Sequence, residues 1–336
     1  MKLAARELPT VTGRLLHGDK ADSGIDFDRV REHAEHAAKV LGDLRGLALK
    51  IGQTASYVDG LLPPEATEVY QKALARLQSA APTVSFDQIR AEIERGIGKP
   101  LGEAFTRFDE APIAAASIGQ VHRAAIVDPH DPTREVEVAV KVQYPSIAQA
   151  LTSDLKNLDA LHPMIAVMAP GADTRGGMDE VVNHLSVELD YQNEARNQEM
   201  FRDILSGWEG AMVPRVYHSH TARNVLTMEF VPGRTLREVA EDPDQDLRNR
   251  VGATVFRFSL GLALGRGIFN TDPHPGNYLV RDDGVVAFLD FGSVKVLPDV
   301  MLQRWQEVAR LLVTGRHDEW RTRSAQLFGM EAMDPR

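Results

Sequence analysis

The spacing of hydrophobic residues changes from a helical to an extended period along this chain. From Phe27 to Ile51 an apolar residue recurs every three or four positions, which predicts an amphipathic helix. A second helix is predicted from Pro64. A third begins at Ser85, where Gln88 completes a capping box, and stops near Gly98. The first quarter of the chain is therefore predicted to be helical.

Beyond Ala111 the pattern becomes typical of β-structure. Residues 117–127 and 136–143 are rich in β-branched side chains and are separated by the turn-rich segment 128–132, which predicts a hairpin. Helices and strands follow in both halves of the remaining chain, so the predicted fold class is α+β. The other predicted elements are helices at about 146–168, 179–203, 246–267 and 299–315, strands at 213–218 and 224–230, and a hairpin over 278–289.

Composition narrows the classes of function. The 336 residues carry 48 acidic and 38 basic side chains, and a net charge of −10 argues against a broad surface for nucleic acid. The chain has no Cys, which removes disulfides, thiolate zinc sites and cysteine nucleophiles. Its first ten residues lack the apolar core of a secretory signal, and nowhere do about eighteen apolar residues run uninterrupted. These features predict a soluble, cytoplasmic chain.

Two polar segments near the C-terminal end have the spacing of a metal–nucleotide site. Asp272 is followed five residues later by Asn277, and a short predicted hairpin then ends in Asp290-Phe291-Gly292. Kinase-like folds use this spacing to bring one polar loop under two Mg²⁺ ions. Asp290 would chelate Mg²⁺ at the phosphates and Asn277 would supply a second metal contact. Asp272 would accept a hydroxyl proton or orient a nucleophile.

Upstream residues offer the remaining parts of such a site. Lys141 projects from an apolar predicted strand and needs an anionic partner, for which Glu194 and the phosphates of a nucleotide are the candidates. Glu229 and Val231 lie where a strand runs into the Pro232-Gly233 pair. Their backbone groups are predicted to bond to the edge of adenine.

An alanine-rich segment, Ala114, Ala115, Ala116 and Ser117, stands where a glycine-rich phosphate loop is expected. Alanine has a Cβ and does not readily adopt positive φ, so this segment would approach phosphate differently from a glycine-rich loop. The alanine run is also compatible with a helix start or an alanine-rich strand.

Five motifs, in this order, resemble the UbiB (AarF/ADCK) family of atypical kinase-like proteins, and the resemblance extends from about Asp43 to Val300. The motifs are K-x-G-Q at Lys50 to Gln53, the alanine-rich loop through Ser117 to His122, E-x-D at Glu188 to Asp190, D-P-H-P-G-N from Asp272, and D-F-G from Asp290. The resemblance implies ATP and Mg²⁺ as cofactors. Under it, Lys141 is the nucleotide-binding lysine, Glu194 its ion-pair partner and Asp272 the catalytic-loop aspartate, with Asn277 and Asp290 as metal ligands.

The resemblance also implies a bilobal protein kinase-like fold with an N-terminal helical extension packed over the active site. The expected divisions are an extension over 1–82, an N-lobe with inserted helices over 83–231 and a C-lobe over 232–336. Lys50 and Gln53 of the extension would meet Glu188 and Asp190. An extension in that position would exclude protein substrates and leave room for phosphate and an apolar ligand.

The function implied by the resemblance is that of an ATPase or phosphotransferase supporting ubiquinone or other isoprenoid lipid metabolism. Expected partners are ATP and ADP, an isoprenoid or quinone-precursor lipid and peripheral contact with a membrane. Permanent anchoring is not expected, since the sequence stops soon after the D-F-G region. Two alternatives stay open: a small-molecule phosphotransferase of the aminoglycoside or choline kinase type, and a nucleotide-gated scaffold that rarely transfers phosphate.

Overall fold

A computed structural model describes residues 84–116, 118–145 and 189–327. These ranges belong to Pro82–Arg336, the second of the two units into which the chain divides. The helices predicted over 27–51, from Pro64 and over 146–168 lie outside the described residues, as do Lys50, Gln53, Ser117 and Glu188. The three predicted domain boundaries stay predictions.

The first described helix, α1 (Phe86–Ile97), has the predicted bounds. The side chain of Gln88 accepts a hydrogen bond from the Ser85 backbone N–H at 3.2 Å, as a capping box requires. Gly98 follows the last turn with φ of +77°, a conformation that favours glycine. A short helix, α2 (Leu101–Ala104), comes next.

A five-stranded antiparallel sheet follows, and α1 packs on it. The strand order is β1-β3-β4-β6, and β2 pairs with β3 beside β1. The predicted hairpin is therefore confirmed as β3 and β4. Side chains of α1 and of the sheet form a buried apolar cluster that includes Ile89, Ile93, Val138, Val140 and Val142. The strands are β1 (Arg107–Phe108), β2 (Ala114–Ala116), β3 (Gly119–Asp128), β4 (Asp131–Gln143) and β6 (Val225–Glu229).

Two predicted elements near the middle of the chain have different outcomes. The second part of the helix expected at 179–203 is observed as α3 (Tyr191–Ile204), whereas 179–188 lie outside the described residues. Asp190 is extended, and its carboxylate caps α3 by accepting from Gln192 N–H at 3.0 Å. The strand expected at 213–218 is wrong. Pro214 lacks an N–H for a ladder, and Val216 makes only an isolated bridge to Met228.

The C-terminal half is mainly helical with two small sheets. One sheet has the order β5-β10-β9-β7 and the other pairs β8 with β11. The predicted helix over 246–267 is observed, interrupted by a π-helical turn at Arg257–Gly261. The elements are β5 (Ala211–Met212), β7 (Arg234–Thr235), α4 (Leu236–Ala240), α5 (Gln245–Phe256), α6 (Leu262–Arg266), β8 (Ile268–Asn270), β9 (Tyr278–Val280), β10 (Val286–Phe288), β11 (Val294–Val296), α7 (Asp299–Val313) and α8 (His317–Leu327).

A second apolar cluster joins α3 to the helices and strands of this half. Phe258 stacks on Phe288 with ring centroids 3.7 Å apart, and Phe291 packs on Phe201 at 4.9 Å. All four side chains are buried. Burial of each large aromatic ring stabilises the fold by about 2–3 kcal/mol. This packing therefore holds Phe291 in place. Within the described ranges, no helix is both long and apolar enough to span a membrane.

Candidate active site

Three charged side chains from distant parts of the sequence meet at one point. Lys141 on β4 donates to both carboxylate oxygens of Glu194 on α3, with Nζ–Oε1 and Nζ–Oε2 distances of 2.7 and 2.9 Å. The same ammonium lies 3.1 Å from Asp290 Oδ2. The side chains of Lys141 and Glu194 are 10% and 3% exposed, whereas that of Asp290 is 31% exposed. The cluster is therefore closed on one side and accessible at Asp290.

The electrostatics of this cluster keep Lys141 charged. Burial alone would lower the pKa of Lys141, but the carboxylates of Asp290 and Glu194 outweigh it and hold the pKa well above its usual value. The ring of Tyr191 adds a cation–π contact, 5.1 Å from Nζ to its centroid. One ammonium faces two carboxylates, so a cation bound at Asp290 would meet a net negative charge.

The residues after Asp290 fix its orientation. The backbone N–H of Gly292 donates to Asp290 Oδ1 at 2.9 Å. A Cβ at Gly292 would lie 3.3 Å from that oxygen and 3.6 Å from Glu194 Oε2, so a larger residue here would crowd the Asp290 carboxylate. The side chain of Asn197 on α3 donates to the carbonyl of Phe291 at 3.0 Å. Packing and hydrogen bonds thus act together on the D-F-G segment.

The loop between β8 and β9 is folded by hydrogen bonds among its own residues. His274 N–H donates to the Asp272 carbonyl at 2.8 Å, and His274 Nδ1 accepts from Gly276 N–H at 2.9 Å. A Cβ at Gly276 would lie 2.8 Å from that ring nitrogen, so a larger residue here would require the His274 ring to move. The carbonyl of Asn277 accepts from Leu289 N–H at 3.0 Å, which places Asn277 beside the strand that leads to Asp290.

The carboxylates of Asp272 and Asp290 both influence the pKa of one neighbour, Tyr278. Burial, together with the nearby carboxylates of Asp272 and Asp290, raises the pKa of Tyr278 to about 12. Tyr278 follows Asn277 directly at the start of β9. The structure therefore brings the predicted residues Asp272, Asn277 and Asp290 into one region, which Lys141 and Glu194 adjoin.

Two asparagines at this site have no predicted role. The side chain of Asn270 donates to the Asp290 carbonyl at 2.6 Å and accepts from Asp272 N–H at 2.9 Å. Asn197 lies three residues after Glu194 in α3. That spacing puts the two side chains on the same face of a helix, and it was the one signal in the sequence that could have suggested Asn197.

The three alanines of the alanine-rich segment form strand β2. Ala114, Ala115 and Ala116 pair antiparallel with Val121, Gln120 and Gly119, so the strand alternative is correct and the helix alternative is wrong. Gly119 approaches the neighbouring strand closely, because a Cβ there would lie 2.1 Å from the Val142 carbonyl oxygen. Contact of this hairpin with phosphate stays a prediction.

Glu229 and Val231, the residues predicted to bond to adenine, lie at and just after the end of β6. The backbone N–H of Glu229 donates to the Arg215 carbonyl at 2.8 Å, and its carboxylate accepts from Arg215 N–H at 3.2 Å. That N–H is therefore engaged within the protein. Val231 is buried. The predicted contact with adenine would use the Glu229 carbonyl and the Val231 backbone, and it stays a prediction. The contacts predicted between Asp190 and the N-terminal extension also stay predictions.

Comparison with known proteins gives the class to which this fold and site belong. The protein-family model described as "ABC1 atypical kinase-like domain" matches residues 76–320, which is most of the chain. The protein is therefore kinase-like. It belongs to the ABC1 atypical kinase-like family, and the resemblance to UbiB, AarF and ADCK proteins is confirmed.

Individual relatives support this assignment. The chain is 31% identical to "AarF domain-containing protein kinase 1" of Xenopus laevis over 85% of its own length and 55% of that protein. It is 34% identical to "Uncharacterized protein sll1770" of Synechocystis over 81% and 46%. It is 30% identical to "Atypical kinase COQ8B, mitochondrial" of Danio rerio over 84% and 44%. The chain thus spans about half the length of these relatives.

A solved structure has a similar fold. The structure titled "The complex structure of Rv3197-erythromycin from Mycobacterium tuberculosis" matches with a TM-score of 0.60 and 30% sequence identity. The match covers 90% of this chain and 74% of that one. Together with the family assignment, it confirms a kinase-like domain of mixed helices and sheets.

Proposed function

We propose that this protein binds Mg²⁺–ATP beside Lys141 and transfers the γ-phosphoryl group to a small acceptor or to water, in support of ubiquinone or other isoprenoid lipid metabolism. The observation that carries the proposal is the Lys141 ammonium held between Glu194 and the partly exposed Asp290. A buried lysine fixed by one carboxylate keeps its charge and its direction. It can then contact the α- and β-phosphates of a nucleotide.

The residues present fit a magnesium ion. Mg²⁺ prefers oxygen ligands and is commonly held by one or two protein groups together with substrate phosphates. The Asp290 carboxylate and the Asn277 side-chain oxygen would provide those groups. Bound Mg²⁺ would neutralise charge on the phosphates. A cation is favoured here because the two carboxylates exceed the single ammonium in charge.

Asp272 would act on the phosphoryl acceptor. In the proposed reaction an acceptor oxygen bonds to the γ-phosphorus, the bond from that phosphorus to the β,γ-bridging oxygen breaks, and ADP leaves. Asp272 would take the proton of the attacking hydroxyl, or orient it. The kinase-like family and the intact set of Lys141, Asp272 and Asp290 support this role.

The lipid context rests on the family and on the resemblance of the N-terminal motifs, Lys50 to Gln53 and Ser117 to His122. The chain covers about half the length of its relatives, and an isoprenoid or quinone-precursor lipid as the acceptor is a separate part of the proposal. Peripheral contact with a membrane is part of it. A small-molecule phosphotransferase of the aminoglycoside or choline kinase type has only the two downstream motifs in its favour.

ATP hydrolysis by the pure protein tests the proposal, with and without liposomes and with quinone-precursor mimics such as a prenylated phenol. We expect Mg²⁺-dependent release of phosphate or a phosphorylated product, stimulated by the lipid or the phenol. Phosphorylation of an aminoglycoside or choline would favour the alternative phosphotransferase. Nucleotide binding without any turnover would favour a nucleotide-gated scaffold.

A further inference from the structure

We propose that Asn270 is a positioning residue that holds Asp272 and Asp290 in one fixed arrangement through hydrogen bonds to the backbone of both. The inference rests on the proposed function, because it treats both carboxylates as parts of the phosphoryl-transfer site. Asn270 would touch neither substrate nor metal. Its effect would reach the reaction through the two aspartates.

The geometry of Asn270 is that of a two-sided link. Its Nδ2 donates to the Asp290 carbonyl at 2.6 Å, while its Oδ1 accepts from Asp272 N–H at 2.9 Å. The two residues it contacts are the ones that carry the proposed base and the proposed metal ligand. Eighteen positions separate them in the sequence, so local structure does not fix their distance.

The backbone that carries Asn270 is itself held in place. Asn270 ends β8 and pairs with Val294 of β11, the strand that follows the D-F-G segment. One residue on, Thr271 N–H donates to the Ser293 carbonyl at 2.9 Å, and the Thr271 and Ser293 hydroxyls lie 2.5 Å apart. The link therefore extends from a fixed strand end, as a positioning residue must.

The chemistry of the side chain explains why asparagine suits this position. A carboxamide offers a donor on one side and an acceptor on the other. Aspartate keeps the acceptor but loses the donor needed at the Asp290 carbonyl, and leucine has neither. A neutral histidine has one donor and one acceptor, so it can in principle restore both bonds.

Three variants test the inference: Asn270→Leu, Asn270→His, and Asn249→Leu as the control. Asn249 is an exposed asparagine of α5 whose side chain accepts from Gln245 in the preceding turn. Each protein is measured for kcat and KM of ATP turnover and for its half-saturating Mg²⁺ concentration. Hydrogen exchange of the Asp272 amide is measured without nucleotide.

For Asn270→Leu we expect kcat to fall about tenfold or more and the Mg²⁺ requirement to rise, while KM for ATP at saturating Mg²⁺ changes less than about threefold. The Asp272 amide should exchange faster. Asn270→His should recover most of kcat, and Asn249→Leu should match the wild type. A residue needed only for stability would not lower kcat while leaving KM nearly unchanged, and histidine would not restore kcat.

Wild-type kcat and Mg²⁺ requirement in Asn270→Leu would overturn the inference. So would a histidine variant that protects the Asp272 amide yet stays as impaired as the leucine variant. The exchange measurement needs no turnover: an equally protected amide in Asn270→Leu refutes the link even if the wild type hydrolyses no ATP. Lack of wild-type turnover counts instead against the proposed function.

Discussion

Lys141 and Glu194 form a buried ion pair in which both carboxylate oxygens accept from one ammonium, at 2.7 and 2.9 Å. Fifty-three positions separate the two residues, so the pair fastens α3 to the central strand β4. Buried pairs of this kind contribute little net stability while intact, but loss of one partner leaves an uncompensated charge. This asymmetry gives the first prediction.

Lys141→Met should destabilise the protein by about 3–5 kcal/mol, because the 3%-exposed Glu194 carboxylate loses its main counter-charge. The double variant Lys141→Met with Glu194→Leu should recover part of that loss. Urea denaturation measures both. As a control, Arg316→Met breaks an exposed pair with Glu319 and should cost less than about 1 kcal/mol. Equal, small losses at both sites would contradict the burial of Lys141.

Gly119→Ala should be strongly destabilising. The added Cβ would lie 2.1 Å from the Val142 carbonyl oxygen, and backbone in the middle of a sheet cannot move aside cheaply. We expect a loss of about 2 kcal/mol or more. Gly102→Ala in α2 is the matched control, since apart from its own helix and chain neighbours no atom lies within 4 Å of its added Cβ. It should be neutral or stabilising, by about 0.5–1 kcal/mol. Melting curves of the two variants decide this.

Stability should fall in mild acid because of two histidines, the buried His122 and the half-buried His220. Burial lowers the pKa of His122 and of His220 below the ordinary 6.5, against hydrogen bonds to the carbonyls of Asp109 and Ala104 that raise it. The unfolded chain then binds more protons than the folded one, so stability decreases as the pH falls through 6.5 and levels off below the folded pKa values. Above 6.5 these groups have no effect.

The measurement is the free energy of unfolding from pH 8 to pH 5 for the wild type, His122→Gln and His220→Gln. Each substitution should reduce the slope between pH 6.5 and 5, whatever it does to stability at pH 8. A slope that is unchanged in both variants would exclude the two histidines as its cause.

Glycine substitutions at Ala114, Ala115 and Ala116 test the β2 hairpin. Each should cost about 0.5–1 kcal/mol, because glycine loses more backbone entropy in a strand. If the hairpin covers the phosphates, at least one variant should also change the affinity for ATP or ADP in calorimetric titration. Unchanged affinities in all three would mean that this segment does not contact the nucleotide.

Local signals in the sequence predicted the elements that depend on local chemistry. The capping box at Ser85, the left-handed Gly98 and the β3–β4 hairpin are all set by residues within a few positions of each other. The strand predicted at 213–218 failed for the opposite reason: its β-branched residues resemble a strand, but Pro214 prevents a regular ladder.

The sequence predicts those residues of the candidate site that belong to known motifs. The known arrangement of kinase-like sites predicts Glu194 as the partner of Lys141, and the two side chains form an ion pair. Asn270 and Asn197 act through carbonyl groups of Asp290 and Phe291, which carry no side-chain signature. Such contacts depend on tertiary packing. The spacing of Asn197 from Glu194 is the one local signal for either residue, and no local pattern indicates the role of Asn270.

The most direct test of the central claim is calorimetric titration of ATP, with and without Mg²⁺, into the wild type, Asp290→Asn and Asp283→Asn. Asp283 makes a half-exposed pair with Arg281 and controls for loss of one carboxylate. We expect Mg²⁺-dependent binding in the wild type and in Asp283→Asn. In Asp290→Asn it should disappear, because the neutral amide cannot hold the metal against the phosphates. Wild-type affinity for Mg²⁺–ATP in Asp290→Asn would contradict the account.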